Sequence, residues 1–324
     1  MKYFTDIENA RRTLDELGYC VVLNVLNEDE CNEMNNGMWE TLEYMTKGRI
    51  QRDVEESWSH FYDLMPKHSM LIQNWSFGHA QYLWNLRQNP KIASIFAGFW
   101  NVRPQDLLVS FDGASIHFPP EVTKRGWIER TRNGVELHVD QSLLNNDLQA
   151  FQGWVTANPI REGDATLVVL EGSHKLHADF YREAKREKKL GDKPNTDWYK
   201  LDESQVAWHE EERGCERVFI QCPAGSLVLW DSRTIHTGVQ ASKTRKEPNL
   251  RNIAYVCYTP RSMASESVMK KRRGYFEKLH MTSHLPHNPR QFPKTPRTYG
   301  KEIQPMNAIP TPRLTELGRR LVGL

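Results

Sequence analysis

The sequence predicts a mainly β protein with flanking helices, built around a double-sheet jelly roll. From Leu107 onward, short apolar runs alternate with Gly, Pro, Asp and Asn, which is the texture of antiparallel strands joined by turns. About eight such runs fit before residue 260, enough for a jelly roll. Outside that region the apolar residues recur at helical spacing.

Residues 6–17 read as a short amphipathic helix, followed by a strand over Gly18-Tyr19-Cys20-Val21-Val22-Leu23. Asn27-Glu28-Asp29-Glu30 opens a helix running to about Lys47, because acids in a first turn complement the helix dipole. Residues 48–80 show no clean period. A second helical stretch spans 80–100, with Tyr82, Leu83, Leu86, Ile92, Ile95 and Phe96 on one face. Candidate strands follow at 107–111, 134–140, 150–157, 166–170, 216–220, 226–231, 236–240 and 251–259. Between two of them lies a charged, largely helical insertion, 174–214, whose run Arg182–Lys189 reads as a solvated helix face. The tail returns to helix at 266–280, becomes Pro-rich and extended at 284–312, and ends in a short helix. No internal repeat is present. The expected organisation is one domain over 1–324: support at 1–106, jelly-roll core at 107–260, tail at 261–324.

Hydrophobic residues at 39% and charged residues at 26% are an ordinary globular balance. With 43 basic against 41 acidic residues, no global field points to nucleic acid or an anionic membrane. The five cysteines are odd in number and lack a CxxC pair, so neither a disulfide framework nor a zinc ribbon is expected. A reducing, cytoplasmic or nucleoplasmic setting follows, since the N-terminus shows no signal-like apolar core and no run approaches the ~20 apolar residues of a membrane span.

The chemistry concentrates in His138-Val139-Asp140, whose outer two side chains share one face of a strand. Such a triplet alone is weak evidence, because core histidines produce many. Here a second histidine, His236, follows the strand-like Ser226-Leu227-Val228-Leu229-Trp230, and Arg251 opens another strand. Two imidazoles and one carboxylate occupy one face of an octahedral ion and leave three positions open.

With these residues in place, the chain resembles the phytanoyl-CoA dioxygenase-like branch of the Fe(II)/2-oxoglutarate oxygenases. The resemblance spans roughly residues 16–260. It is carried by the 18–23 opening, His138-Val139-Asp140-Gln141, Gln152-Gly153-Trp154-Val155, Glu171-Gly172-Ser173-His174-Lys175, the Gly225 turn before Trp230-Asp231, His236-Thr237-Gly238 and Arg251. It implies a double-stranded β-helix, a cupin-like jelly roll with iron at its open end. It also implies that His138, Asp140 and His236 hold Fe(II), that Arg251 pairs bidentately with the distal carboxylate of 2-oxoglutarate, and that Thr237 adds a hydroxyl hydrogen bond. The family places its arginine closer to the distal histidine than this chain does. Lys243-Thr244-Arg245-Lys246-Glu247-Pro248 is inserted here, so Arg245 is a rival anchor; Arg251 is preferred because the strand-like Ile253–Tyr258 follows it.

Gln152 and Trp154 share a strand face and are expected either to line the co-substrate pocket or to pack the core. His174 is expected to shape a turn. The basic-aromatic run Lys124–Arg132, with Arg125 and Trp127, is a candidate lid for an anionic substrate or an ordinary solvated loop. Trp75, with Asn74 and His79, and Arg233 are further pocket candidates. The resulting expectation is an enzyme that uses dioxygen to oxidise a small, carboxylate-bearing molecule, such as an amino-acid-derived natural-product precursor, releasing succinate and CO2. Hydroxylation, desaturation and cyclisation all fit. An acyl-CoA hydroxylase, a nucleic-acid demethylase and a protein hydroxylase are the alternatives, though nucleic acid is disfavoured by the missing basic face. A metal-free, non-enzymatic jelly roll is disfavoured by the intact triad and Arg251.

Overall fold

Two β-sheets face one another, and helices cover the outer face of the larger one. The computed structural model describes residues 1–128, 136–186 and 197–324. Its strands are β1 (Phe4–Thr5), β2 (Tyr19–Val22), β3 (Leu71–Ile72), β4 (Leu107–Val109), β5 (Ala114–His117), β6 (His138–Val139), β7 (Phe151–Thr156), β8 (Thr166–Leu170), β9 (Tyr199–Lys200), β10 (Arg217–Phe219), β11 (Leu227–Asp231), β12 (His236–Val239) and β13 (Arg251–Pro260). The larger sheet runs β1-β2-β11-β7-β13-β5-β3, with β4 also pairing β13, and the smaller runs β10-β8-β12-β6-β9. Every pairing except β1–β2 is antiparallel. This is the double-stranded β-helix that the strand texture predicts.

Alternation along the strands decides which residues face which layer. Tyr19, Val21, Trp154, Val228, Trp230 and Ile253 pack between the sheets with Leu167 and Val169. Their neighbours Cys20, Val22, Val155, Leu227, Leu229 and Ala254 face outward, under the helices. Both faces of the larger sheet are therefore buried, and its strands read as continuous apolar runs.

The helices are α1 (Ile7–Leu17), α2 (Glu28–Met45), α3 (Gln81–Arg87), α4 (Pro90–Trp100), α5 (Pro120–Thr123), α6 (His177–Arg186), α7 (Glu203–Ala207), α8 (Glu266–Glu277) and α9 (Glu316–Val322). Gly18 ends α1 with φ 89°, a left-handed conformation open to glycine, and its N–H donates to Leu14 O at 2.7 Å. A capping box starts α2, with Asn27 Oδ1 accepting from Glu30 N and Glu30 Oε2 accepting from Asn27 N. The expected single helix over 80–100 is two. Pro90 has no N–H and disfavours a helical residue before it, so Asn89 instead caps α4 by accepting from Lys91 N at 2.9 Å.

Two further corrections matter for the site. The 174–214 insertion is more than a solvated face: Phe180 and Ala184 of α6 pack with Tyr199, Leu201 and Trp208, and the insertion contributes β9 beside β6. Residues 187–189 of its charged run lie outside the described residues, as do 129–132 of the candidate lid and 134–135 of the expected metal strand. The Pro-rich tail, expected as a simple extended strap, folds back on itself. Ser283 N donates to Arg290 O and Phe292 N to Met281 O, which closes a loop, while Thr282 N donates to Phe111 O. Arg272 of α8 anchors this arrangement. Fully buried, it donates to main-chain carbonyls of Val109, Pro286, Leu321 and Val322 at 2.7–3.3 Å, so one side chain satisfies acceptors from β4, the tail and α9. No described helix is long and apolar enough to cross a membrane.

Candidate metal centre and co-substrate pocket

His138 on β6 and His236 on β12 are directly opposite one another in the smaller sheet. That register brings their rings to 4.6 Å between centroids. Asp140 follows β6 by one residue and turns its carboxylate between them, 3.9 Å from His138 Nε2 and 3.2 Å from His236 Nε2. One donor atom from each of the three residues lies within 4.8 Å of the others.

Both imidazoles are oriented from behind. His138 Nδ1 donates to Glu136 O at 2.8 Å and His236 Nδ1 to Thr234 O at 2.9 Å, in each case the carbonyl two residues upstream. These bonds anchor Nδ1 of each ring and leave its Nε2 on the Asp140 side. Burial, with His236 nearby, lowers the His138 pKa to about 4, so the ring is neutral and ligand-competent at physiological pH. For Asp140, burial alone favours the protonated acid, but His284, the His236 contact and His138 more than offset it and hold the carboxyl well below its ordinary range.

Gln152, expected in the co-substrate pocket, donates from Nε2 to Asp140 Oδ2 at 2.7 Å and so steadies the carboxylate. Its Oε1 is buried without a hydrogen-bond partner. The residue that sequence reasoning missed is His284. It comes from the tail loop, donates from Nε2 to Asp140 O at 3.0 Å, and sets its other ring nitrogen 3.6 Å from Asp140 Oδ2. No local signal marks it, because its position depends on a loop closed by long-range contacts. Partners that orient a ligand typically contribute ~10–100-fold to metal affinity. His284→Ala is expected to weaken Co(II) binding to the anaerobic protein about 10-fold, read by absorbance titration; unchanged affinity would show that the ring merely fills space.

Arg251 opens β13 and is 4% exposed. Nη1 donates to Ala165 O at 2.7 Å, the guanidinium lies 5.5 Å from the Trp154 ring centroid, and Nε has no partner. No carboxylate pairs with it among the described residues. The rival, Arg245, is fully occupied: it pairs with Glu121 at 2.5 Å and with Asp164 at 3.1 Å. The two candidate arginines thus differ in their partners: Arg245 is paired with acids and Arg251 has none among the described residues. Trp154 is a core residue, fully buried under Arg251, which selects the packing alternative. Thr237 lines the same cavity as Arg251, and its hydroxyl makes only a long 3.4 Å contact with Gly238 O.

That cavity measures about 360 Å³ and contains His138, Asp140, His236, Gln152, Thr237 and Arg251, with Lys67, Asp112, Trp198, His284 and Phe292 on its other walls. Asn74, Trp75, His79, Arg125, Trp127 and Arg233, all expected at the pocket, do not line it; Asn74 donates from Nδ2 to Pro293 O and His79 from Nε2 to His280 O. Trp75 donates from Nε1 to Leu64 O, and its N–H donates to Lys294 O, so it braces the tail loop. Arg125 is exposed, with its guanidinium 5.2 Å from the Tyr62 ring centroid. Trp127 lies against Arg245 and bridges to Ala241. Arg233 is held by Asp231 at 2.6 Å. In each case a nearby partner occupies the group that was expected to face substrate. His174 also stays out of the metal cluster, donating from Nε2 to Asp15 O at 3.1 Å.

Residues 14–246, well over half the chain, match the phytanoyl-CoA dioxygenase family, PhyH. The chain belongs to the phytanoyl-CoA dioxygenase family. The residues present fit the iron and 2-oxoglutarate expected from the family resemblance: three clustered donors for an ion, and a buried guanidinium with no acid beside it among the described residues. The chain is 28% identical over 213 residues to the Ava biosynthesis cluster protein O of Aspergillus versicolor, covering 64% of this chain and 64% of that relative's length. Among solved structures, a putative oxidoreductase from Salmonella typhimurium superposes with a TM-score of 0.60 at 14% identity, covering 99% of this chain and 86% of the other. A hypothetical protein from Escherichia coli gives 0.59 at 13% identity, covering 99% and 85%. At such identities the likeness concerns the fold, and it extends through the tail as well as the jelly roll.

Proposed function

We propose that this phytanoyl-CoA dioxygenase family member is an Fe(II)/2-oxoglutarate-dependent oxygenase acting on a small, carboxylate-bearing molecule, such as an amino-acid-derived natural-product precursor. The observation that carries it is the coexistence, in one cavity, of the His138–Asp140–His236 cluster and a buried arginine with no carboxylate partner among the described residues. Bound iron supplies the activation of dioxygen, coupled to conversion of 2-oxoglutarate to succinate and CO2. His138, Asp140 and His236 would hold the ion. Arg251 would take the distal carboxylate of 2-oxoglutarate with two parallel N–H donors, giving this buried cation the acid it lacks among the described residues. Thr237 would add its hydroxyl, and Gln152 and His284 would keep Asp140 aimed. Residues 1–324 would work as one domain, since α2, α3, α4, the larger sheet and α9 share one core.

A cavity of about 360 Å³ lies in the range of small-molecule sites, which supports a small substrate over a macromolecular one. The relative named for a biosynthesis cluster supports a biosynthetic role. The five free, buried cysteines suit a reducing setting, for which we propose the cytoplasm. Adding Fe(II) and 2-oxoglutarate without oxygen should produce a weak visible charge-transfer band, and oxygen should then release succinate. A protein that binds neither would sink the proposal.

A further inference from the structure

One wall of the cavity carries opposite charges that do not meet. Asp112 lies in the loop before β5 and is 6% exposed. Its Oδ1 accepts from Gly113 N at 2.7 Å and from Gln73 Nε2 at 3.4 Å, while Oδ2 takes no hydrogen bond from the described residues. A buried guanidinium does lie nearby, but Arg87 spends its donors on the main-chain carbonyls of Gly78 and Asp112, not on the carboxylate. Lys67 stands at the mouth of the same cavity. Its Nζ donates to Gln73 Oε1 at 2.9 Å and lies 5.6 Å from the Phe292 ring centroid, with no acid paired to it among the described residues.

The Gln73 amide therefore stands between the two charges, donating to the acid and accepting from the ammonium. Such an arrangement is costly when empty, because a buried carboxylate without a cation keeps its desolvation penalty. Burial accordingly raises the Asp112 pKa. Arg290 nearby pairs with Asp197 at 3.0 Å, and the His284 ring donates from Nε2 to Asp140 O. What the wall offers a ligand is an acceptor, Asp112 Oδ2, deep inside, and ammonium donors at the rim.

We propose that the primary substrate is a small zwitterion of the amino-acid class, whose protonated amine pairs with Asp112 and whose carboxylate reaches Lys67. Gln73 keeps the two protein charges apart so that each remains available. The proposal rests on the cavity being the oxygenase active site, and it narrows the substrate from a carboxylate-bearing molecule to one that also carries a cation.

The test uses the full-length protein loaded anaerobically with Fe(II) and 2-oxoglutarate, with ligand binding read by saturation-transfer NMR and calorimetry. Matched probes are L-phenylalanine, phenethylamine, phenethyl alcohol and 3-phenylpropanoate, with the corresponding set built on L-leucine. The zwitterions should bind at least 10-fold tighter than the amine-free acids, and the amine tighter than the alcohol. Asp112→Asn keeps the side-chain shape and should remove the preference for amines while leaving the charge-transfer band intact. Lys67→Gln should weaken zwitterions and acids about 10-fold but spare phenethylamine. The proposal is overturned if no amine-bearing probe binds, if acids bind as tightly as zwitterions, or if Asp112→Asn retains the amine preference. Should Asp112→Asn fail to fold, the matched probes on the wild-type protein decide alone. Loss of the charge-transfer band in the wild-type protein would instead fault the oxygenase assignment, so the two failures are told apart.

Discussion

Asp140→Ala is expected to abolish measurable Fe(II) binding at micromolar metal and, with it, succinate release. Asp140 is the only anionic donor among the three, and its carboxyl is held ionised well below its ordinary range. It is also the hub of the cluster, receiving Gln152 Nε2 at 2.7 Å and lying 3.2 Å from His236 Nε2. Removing it deletes a ligand and frees the groups that positioned it, so the loss should exceed the ~100-fold at the upper end for an outer partner. Anaerobic titration of the variant with Co(II) or Fe(II) measures this directly, and circular dichroism confirms that the fold survives. Near-wild-type metal affinity in a folded Asp140→Ala protein would remove the metal centre from this position.

Arg251→Lys is expected to raise the KM for 2-oxoglutarate by ~10–100-fold while Fe(II) affinity changes little. A hydrogen bond to a charged group contributes ~1.5–3 kcal/mol, and each 1.4 kcal/mol is tenfold in affinity. Lysine keeps the charge but has no planar fork, so it cannot both hold Ala165 O, as Arg251 Nη1 does at 2.7 Å, and face a carboxylate with two donors. The parallel change, Arg245→Lys, should leave KM for 2-oxoglutarate near wild type and lower thermal stability instead, because Arg245 is committed to Glu121 and Asp164. The reverse pattern would make Arg245 the anchor.

These two expectations show how unevenly the site is legible. His138, Asp140 and His236 are readable because period-two alternation puts the first two on one strand face, and the third follows a strand of unmistakable apolar character. What distinguishes Arg245 from Arg251 is not local: the acids paired with Arg245 come from α5 and from the loop before β8, far away in sequence. Trp75, Arg125, Trp127 and Arg233 have side chains suited to a pocket, yet neighbours absorb each of them. The break between α3 and α4 is set locally by Asn89-Pro90, which overrides the continuous apolar period.

By itself the sequence determined the jelly-roll texture, the order of the metal-binding residues and the family, since all three depend on residue type and short-range spacing. Only the tertiary structure decided the walls of the cavity. His284 arrives there because Arg272 and Thr282 tie the tail loop to the sheet, and Lys67, Gln73 and Asp112 meet across β3 and β5. Local patterns specify how a strand alternates. Which distant side chains share a cavity, and which of their charges remain unpaired, is set by packing and hydrogen bonds between segments that no local pattern relates.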